Sequence, residues 1–440
     1  MNCKKENMYQ LEGTVPLRDA IPLGMQHILA MYAGNLAPLL VLAGVLSMNM
    51  DTRIILLQNA MFVAGLITLL QLYPIWKVGS GLPVVMGTSS GFIPVSIGVG
   101  TQFGYGAIMG ASLIGACVEF LLGFIIKPLR KLIPHVVSGT VVLILGISLI
   151  PVGIQFIGGG VGAQSDPGFG SLQNLLLGII VFLTILALRQ FGKGFLSISS
   201  ILIGIIVGYI VAIFMGKVDF SGVATALWFA LPKPIFMIDG LSYTFHLEAI
   251  IPFILVYLAT TVETIGDNTG IAVGGLGRDI TDRELQGAVH ADGFGSAFAT
   301  LFGVMPNTSF SQNVGLIGMT KVVNRFVLMT GAVFLILCAL FPKLGAIVAS
   351  IPNSVLGGAV ILMFAMISMS GLHLLIDNGK ISDRTGLIVA ASCAVGFGLS
   401  NCPEVMRALP TLIQNMFSQA IVGGFVTALL LNLILPHKAD

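Results

Sequence analysis

Long apolar segments recur along almost the whole chain, and this pattern restricts the possible folds more than any other feature. Predominantly apolar stretches of about 20 residues, the length of a helix that crosses the hydrocarbon core of a bilayer, follow one another from Ile21 to Pro436. Of the 440 residues, 56% are hydrophobic and only 9% are charged, whereas about 25% are charged in an ordinary soluble domain. So few charges cannot cover a soluble surface. The sequence therefore predicts an all-α polytopic membrane protein.

The breaks between the apolar stretches predict the number of spans. Twelve complete helices are expected near residues 22–46, 53–74, 105–126, 134–154, 171–189, 196–215, 247–272, 285–303, 324–342, 352–373, 383–401 and 412–435. Two further stretches, 82–98 and 305–321, are apolar but short, and Pro, Gly and hydroxyl residues interrupt them. If both cross the membrane, the protein has fourteen transmembrane segments.

The basic residues support fourteen spans with both termini in the cytoplasm. Lys and Arg favour cytoplasmic loops. With the N-terminus inside and fourteen crossings, sixteen of the 21 Lys and Arg residues are cytoplasmic, and omitting either short span inverts half of this pattern. Residues 1–20 lack the apolar core of a cleavable signal peptide. We therefore expect a cytoplasmic N-terminal tail on a multi-pass protein of the cytoplasmic (inner) membrane.

A short sequence repeat relates the two halves of the chain. Residues 133–139 (IPHVVSG) recur as residues 351–357 (IPNSVLG), and Val142 corresponds to Val360 at the same offset of 218. This offset is about half of the chain and contains seven of the expected spans. An odd number of crossings places the two halves in opposite orientations, as in transporters built from inverted repeats.

The two interrupted stretches occupy matching places in the two halves. Residues 81–94 and 306–315 combine Pro, Gly and hydroxyl residues, so neither is expected to remain a regular helix. Broken backbone at membrane depth survives only where protein buries it or where it lines a cavity. Two kinks that only aid packing are the alternative. The pair favours a binding site near the middle of the membrane.

Four acidic residues lie within the expected spans: Glu119, Glu263, Asp267 and Asp292. A charge at the centre of a membrane helix costs about 2.5 to 3.5 kcal/mol, so each needs a partner or a function. Glu263 and Asp267 are four residues apart and share a helix face. Two buried carboxylates this close disfavour each other's ionised form, so one of them can carry a proton at neutral pH. Hydrogen bonding to neighbouring groups is the alternative, and for Glu119 a packing or pairing role is expected.

Other chemistries lack the residues that they need. The five cysteines have neither paired nor metal-like spacing, which predicts no disulfide, no metal site and no cofactor. A net charge of +2, dispersed over short loops, does not indicate nucleic-acid binding. A membrane-embedded enzyme would need an acidic metal cluster or a nucleophile near the interface, so we do not expect an enzyme. A channel would need a ring of charge or a repeated pore motif.

Four ordered motifs resemble those of the nucleobase–ascorbate transporter family, also called nucleobase:cation symporter 2. The segment from Gln312 to Lys321 (QNVGLIGMTK) fits the family signature, in which Gln, Glu or Pro precedes Asn and a Gly, a Thr and a basic residue or Gly follow. Gln26-His27, residues 263–267 (ETIGD) and residues 291–293 (ADG) are similar to the other motifs. The resemblance extends over nearly the whole chain.

The resemblance implies a fold of two inverted seven-span repeats, with short antiparallel β-strands in spans 3 and 10. It further implies a core, substrate-binding domain and a gate domain that mediates homodimerisation, the core moving against the gate as an elevator. The corresponding boundaries are 1–20 for the N-terminal tail, 21–126 and 247–342 for the core domain, and 127–246 and 343–436 for the gate domain.

The resemblance also implies the function and the site. The expected activity is proton-coupled import of a purine base, xanthine or uric acid, with H⁺ as the coupling ion. The substrate-binding residues are then Glu263, Gln312 and His27, with backbone amides near Ser89, Ser90, Phe310 and Ser311. Asp267, Asp292 and Asn313 would serve proton coupling and site organisation.

Residue types within the site bear on the substrate. Gln312 together with Asp267 resembles the xanthine and uric acid permease subgroup. A Gln amide can meet the N–H and C=O edge of a purine with two hydrogen bonds. Ser90 stands where many relatives carry an aromatic residue, so Phe92 or Phe310 is expected to supply the ring contact. A uracil permease, or a sulfate or bicarbonate transporter on the same fold, is the alternative, although an anion carrier would favour basic site residues.

Overall fold

The computed structural model describes residues 4–126, 135–376, 380–410, 413–414 and 417–436, which are predominantly helical. The α-helices of this part of the chain are α1 Leu17–Val45, α2 Met50–Leu72, α3 Ile93–Phe103, α4 Tyr105–Leu122, α5 His135–Gly158, α6 Leu172–Phe191, α7 Phe195–Ile198, α8 Ser200–Phe214, α9 Ser221–Thr225, α10 Leu247–Leu276, α11 Asp282–Leu301, α12 Ser311–Thr320, α13 Arg325–Ala339, α14 Pro342–Ala349, α15 Asn353–Leu375, α16 Asp383–Asn401 and α17 Ala420–Ile434. Short 3₁₀ turns lie at Lys5–Tyr9, Ser90–Phe92, Gly123–Ile125, Val161–Ala163, Ile235–Met237 and Pro403–Met406.

The helices agree with the prediction of a multi-pass membrane protein. Among the described residues, seven helices are long and apolar enough to cross a bilayer: α1, α2, α4, α5, α6, α10 and α15. Helices α13 and α14 form an eighth candidate, bent by 83°. Each of the twelve complete helices expected from the sequence overlaps a helix of the structure. Residues 134 and 412, the expected first residues of two of them, lie outside the described part.

One expected single helix is divided, and another is followed by an additional short helix. The stretch 196–215 contains α7 and α8, which meet at Ser199. Serine side chains compete with the helical backbone for hydrogen bonds, and three of them lie between residues 197 and 200. The stretch 324–342 ends at the bend between α13 and α14, where Pro342 is the first residue of α14. Proline has no N–H to continue the preceding helix, so the chain turns there.

The two interrupted stretches form a pair of short strands, as expected. Strand β1, Met86–Thr88, and strand β2, Asn307–Ser309, run antiparallel with Gly87 opposite Thr308. Strand β1 leads through the turn at Ser90–Phe92 into α3, and β2 leads within two residues into α12. Side chains of neighbouring helices complete the hydrogen bonding: Thr88 N–H donates to Asn35 (2.7 Å) and Met86 N–H to Thr68 (2.9 Å). These two backbone N–H groups therefore have acceptors, as burial at membrane depth requires.

The two helices that contain the sequence repeat pack directly against each other. Gly139 of α5 lies beside Gly371 and Leu375 of α15, whereas Ile157, near the other end of α5, lies beside Gly357. The helices therefore run antiparallel. Their first residues, 135 and 353, differ by the same 218 positions as the repeated motif. Residues 133 and 134 of that motif lie outside the described part of the chain.

Close contacts divide the long helices into two groups. Glycines let backbones touch within each group, since a methyl group built on Gly293 of α11 would lie 2.5 Å from the Phe120 nitrogen of α4. In the same way, one on Gly358 of α15 would lie 2.3 Å from the carbonyl of Gly178 in α6. The first group contains α1, α2, α4, α10, α11 and α13, and the second contains α5, α6, α8, α15, α16 and α17.

The N-terminal residues are folded against the first group. Asn324, fully buried before α13, donates its side-chain amide to the carbonyls of Asn7 (2.9 Å) and Gln10 (3.0 Å), and its side-chain oxygen accepts from Phe326 N–H (2.9 Å). Val323 N–H also donates to Met8 O at 3.0 Å. Part of the expected tail is thus ordered, and α1 begins before its predicted boundary, at Leu17.

We expect Asn324→Ala to lower the melting temperature of the detergent-solubilised protein by several degrees. The change removes a helix N-cap, worth about 0.5 to 2 kcal/mol, and the hydrogen bonds from its amide to the carbonyls of Asn7 and Gln10, each worth about 0.5 to 1.5 kcal/mol. Asn401→Ala, at an exposed position, is the matched control and should leave the melting temperature unchanged. Equal melting temperatures for the two variants would contradict a stabilising role for the N-terminal contact.

Candidate functional site

The paired strands bring two helix N-termini together inside the protein. Helix α3 follows β1 through the turn at Ser90–Phe92, and α12 begins at Ser311 directly after β2. Helix N-termini carry unpaired N–H groups and a partial positive charge. Two of them beside a strand pair create a polar, electropositive region in otherwise apolar surroundings, where an electron-rich or anionic group can bind.

Helix α10 places two carboxyl groups at this region. The Asp267 carboxylate accepts a hydrogen bond from the Ser309 hydroxyl of β2 at 2.7 Å, and Asp267 is buried. Glu263, one turn earlier, is half-buried, and the Ser311 hydroxyl donates to it at 3.5 Å. Gln312, next to Ser311 at the start of α12, is also half-buried. Glu263 and Gln312 therefore remain partly accessible, whereas Asp267 belongs to the buried part of the site.

A third carboxyl group joins the network from α11. The Thr264 hydroxyl donates to Asp292, which is fully buried. The same hydroxyl lies 3.4 Å from the Ser309 hydroxyl, which contacts Asp267. Thr264 and Ser309 thus connect Asp267 with Asp292, although 25 residues separate the two acids in sequence. The sequence predicted that both acids lie within membrane spans, but it did not indicate that Thr264 and Ser309 are their partners.

His27 of α1 and Asn313 of α12 contact each other. The Asn313 side-chain amide lies 3.0 Å from His27 Nδ1 and donates to the His27 carbonyl at 3.2 Å. Both residues are buried, with His27 only 2% exposed. Their contact ties α1 to the first turn of α12, next to Gln312. His27 therefore lies where it can hold α12 in position.

The backbone amides at the strands differ from the expectation in one respect. Ser89 N–H donates to Pro306 O at 2.8 Å, and Phe310 N–H donates to Val85 O at 3.0 Å. Because strand pairing uses these two amides, Ser90 and Ser311, at the starts of the short helices, are better placed to offer N–H groups to a ligand. Both residues are half-buried.

The two candidate aromatic rings have different surroundings. Phe92 is fully buried, and its ring centroid lies 4.5 Å from that of Tyr257, so the ring serves packing. The Phe310 ring lies against Gly34 and Gly87, where a side chain would collide with it. Phe310 is 7% exposed and follows β2 directly. Phe310 directly precedes the half-buried residues Ser311 and Gln312.

Glu119 is more closely connected to the site than the sequence indicated. It is fully buried in α4 and accepts a hydrogen bond from the Thr261 hydroxyl of α10 at 3.0 Å. Thr261 lies one turn before Thr264, the partner of Asp292. Among the described residues, no group of three or more His, Cys, Asp or Glu side chains is arranged to hold a metal ion.

A helical membrane protein with two paired, broken segments and polar groups at their junction has the architecture of a secondary transporter. The family model described as "Permease family" matches residues 18–405. The chain therefore belongs to this family, the xanthine and uracil permeases, which are the nucleobase–ascorbate transporters that its motifs resemble. It is a transporter and not an enzyme.

Individual relatives agree with this membership. The chain is 36% identical over 442 residues to the xanthine permease XanQ of Escherichia coli strain K12, covering 98% of this chain and 94% of that protein. It is 35% identical over 414 residues to the uric acid permease PucJ of Bacillus subtilis strain 168, covering 93% of this chain and 91% of that protein. The transmembrane domain of the cyanobacterial bicarbonate transporter BicA has a similar fold, with a TM-score of 0.61 at 15% identity, covering 96% of this chain and all of that domain.

Proposed function

We propose that this protein imports a purine base, xanthine or uric acid, together with protons. The observation that carries the proposal is the convergence of Glu263, Asp267 and Gln312 on the junction of the two strands and the two short helices. A half-buried carboxylate can accept hydrogen bonds from ring N–H groups, and a half-buried amide can both donate and accept. The relatives XanQ and PucJ, a xanthine permease and a uric acid permease, support the same substrate class.

The proposed roles of the site residues follow from their accessibility. Glu263 and Gln312 bind the base, and the amides of Ser90 and Ser311 add N–H donors. Phe310 borders the base. Ser89 supports the pairing of β1 with β2, the strand that Phe310 follows. His27 and Asn313 hold α12. Asp267 and Asp292, buried and connected through hydroxyl groups, serve proton coupling.

The movement we propose is an elevator-type exchange of access between two domains of fourteen spans in inverted repeats. The core domain comprises residues 21–126 and 247–342, and the gate domain comprises residues 127–246 and 343–436. The two groups of closely packed helices support this division. The antiparallel contact of α5 with α15 supports the inverted repeat. We further propose a homodimer formed through the gate domain, with both termini in the cytoplasm.

Uptake of radiolabelled xanthine and uric acid by cells that express the chain tests the proposal. We expect saturable uptake of at least one of them, and loss of accumulation when a protonophore collapses the proton gradient. Uracil, sulfate and bicarbonate are the control substrates, because the fold is shared with a bicarbonate transporter. Transport of a control anion without purine transport would contradict the proposed site. Sodium-dependent uptake that survives the protonophore would contradict proton coupling.

We expect Gln312→Glu to weaken purine uptake about tenfold, the effect of losing about 1.4 kcal/mol of binding free energy. The change replaces the NH₂ donor by an acceptor and adds a negative charge next to Glu263. Competition of radiolabelled xanthine uptake by unlabelled purines measures the recognition. Gln102→Glu, at an exposed position near the end of α3, is the matched control. An unchanged competition profile in the Gln312 variant would remove this residue from the site.

A further inference from the structure

A second pair of carboxyl groups, Glu119 and Asp292, contacts α10, the helix that carries Glu263 and Asp267. Thr261 of α10 donates to Glu119 Oε1 at 3.0 Å, and Thr264, one turn later on the same helix, donates to Asp292 Oδ2. Helices α4 and α11, which carry the two acids, touch through their backbones next to them. A methyl group on Gly293 would lie 2.5 Å from the nitrogen of Phe120. Glu119 directly precedes Phe120 and Asp292 directly precedes Gly293, so this contact brings the two acids to adjacent positions on the two helices.

Each of these carboxyl groups keeps one oxygen without a hydrogen-bond partner. Among the described residues, Glu119 Oε2 and Asp292 Oδ1 are buried and unpartnered, while the second oxygen of each accepts from a threonine. Both side chains are completely buried. A buried ionised carboxylate without a cation or a full set of donors is strongly unfavourable. A single proton between the two carboxyl groups would remove one charge and supply a donor for the partner's free oxygen.

Among the described residues, none of the other titratable groups near the pair donates a hydrogen bond to either free oxygen. Tyr257 of α10 is held by Ser112 at 3.1 Å, and His290 of α11 lies between the rings of Phe120 and Phe124. Cys117 of α4 is exposed, and Asp267 is connected to Asp292 through the Ser309 and Thr264 hydroxyl groups. The ion pairs of the described residues, Arg278 with Glu284 and Arg325 with Glu12, involve neither acid.

We propose that Glu119 and Asp292 share one proton and that Glu119 is a proton-binding residue of the transport cycle. This inference rests on the proposed proton coupling and adds a residue to it. When Asp292 takes up a proton from Asp267 through the hydroxyl groups of Ser309 and Thr264, the shared proton moves fully to Glu119 Oε2, so that both carboxyl groups of the pair are neutral and the negative charge lies on Asp267. Return of the proton to Asp267 leaves the pair with one shared proton and one negative charge. Glu119 thus permits Asp292 to alternate between its two forms within an apolar helix interface.

The test compares purified wild-type protein with Glu119→Gln in proteoliposomes. Xanthine counterflow, which needs substrate binding and domain movement but no net proton transfer, should stay within about twofold of wild type. Xanthine accumulation driven by a pH gradient should fall about tenfold and should lose its dependence on pH. Glu404→Gln, at an exposed position in the 3₁₀ turn Pro403–Met406, is the matched control, and Glu119→Asp should restore part of the accumulation.

Infrared spectroscopy of the same proteins reports the proton directly. Glu119→Gln should remove a carbonyl band of a protonated carboxylic acid that Glu404→Gln retains. If the Glu119 variant does not fold, Thr261→Val, which removes only the hydroxyl donor, should shift that band and lower pH-driven accumulation in the same direction.

Three outcomes separate the inference from the function on which it rests. A wild-type protein that shows counterflow but no pH-driven accumulation would overturn proton coupling itself, and with it the role of Glu119. Wild-type coupling with normal accumulation and an unchanged infrared band in Glu119→Gln would overturn the inference alone. Equal loss of counterflow and accumulation would also overturn it, because that result indicates a purely structural role.

Discussion

Glu263→Gln is expected to reduce purine uptake by at least about a hundredfold while the protein remains in the membrane at its normal level. Glu263 is the half-buried carboxyl group at the strand junction, and it accepts a hydrogen bond from the Ser311 hydroxyl. The amide that replaces it presents an NH₂ donor where ring N–H groups of the base require an acceptor. A site built around a hydrogen bond discriminates by a factor of about 10⁴ to 10⁵ against a mismatched group.

The measurement is initial-rate xanthine uptake, normalised to the amount of protein in the membrane. Glu404→Gln, which makes the same chemical change at an exposed position, should transport like the wild type. The fold should survive the change at Glu263, because the replacement is nearly isosteric and removes a charge from a membrane helix. Wild-type uptake by Glu263→Gln would show that this carboxylate does not bind the base.

Gly87→Val is expected to cause a comparable loss, of at least about a hundredfold, through geometry alone. A side chain at this position in β1 would start 2.7 Å from both the Phe310 ring and the Met31 methyl group, and 2.9 Å from the Asn35 side-chain oxygen. Valine suits a β-strand, so strand propensity does not cause the defect. Displacement of Phe310 moves the start of α12, and a displacement of about 1 Å in a site can lower activity about a hundredfold.

Gly386→Ala controls for the loss of a glycine. Nothing lies within 4 Å of the position of its added methyl group, and the residue lies inside α16, where alanine is favoured over glycine. Its uptake and melting temperature should equal or exceed those of the wild type. Normal uptake by Gly87→Val at normal abundance would show that the close contact between β1 and Phe310 is not needed for transport.

The membrane class and the order of the elements could be predicted from local sequence. A helix that crosses a bilayer needs about 20 apolar residues in succession, and Pro, Gly and hydroxyl residues interrupt a helix wherever they cluster. Residues 81–94 and 306–315 therefore indicated broken backbone, and the structure has strands there. The break at Ser199 was missed because apolar residues continue on both sides of it, and the short helix α14 beyond the bend at Pro342 was not predicted.

The candidate site was predictable only in part. The family signature at Gln312 and the spacing of Glu263 and Asp267 indicated the residues of the strand junction. The use of the Ser89 and Phe310 amides in strand pairing was not predictable, because it depends on the register between two segments about 220 residues apart. The N-terminal residues were expected to be a plain tail, and their contact with Asn324 depends on a pairing over more than 300 residues of sequence.

By itself, the sequence determined that this chain is a multi-pass membrane protein with two matched broken segments and a permease signature, because hydrophobicity, helix interruption and motifs are properties of neighbouring residues. The tertiary structure decided which polar groups meet. Thr264 joins Asp292 to Asp267 through Ser309, and Glu119 lies beside Asp292 because α4 and α11 touch at Gly293. Such contacts depend on the packing of helices that are distant in sequence, where a buried carboxyl group has to find its partners.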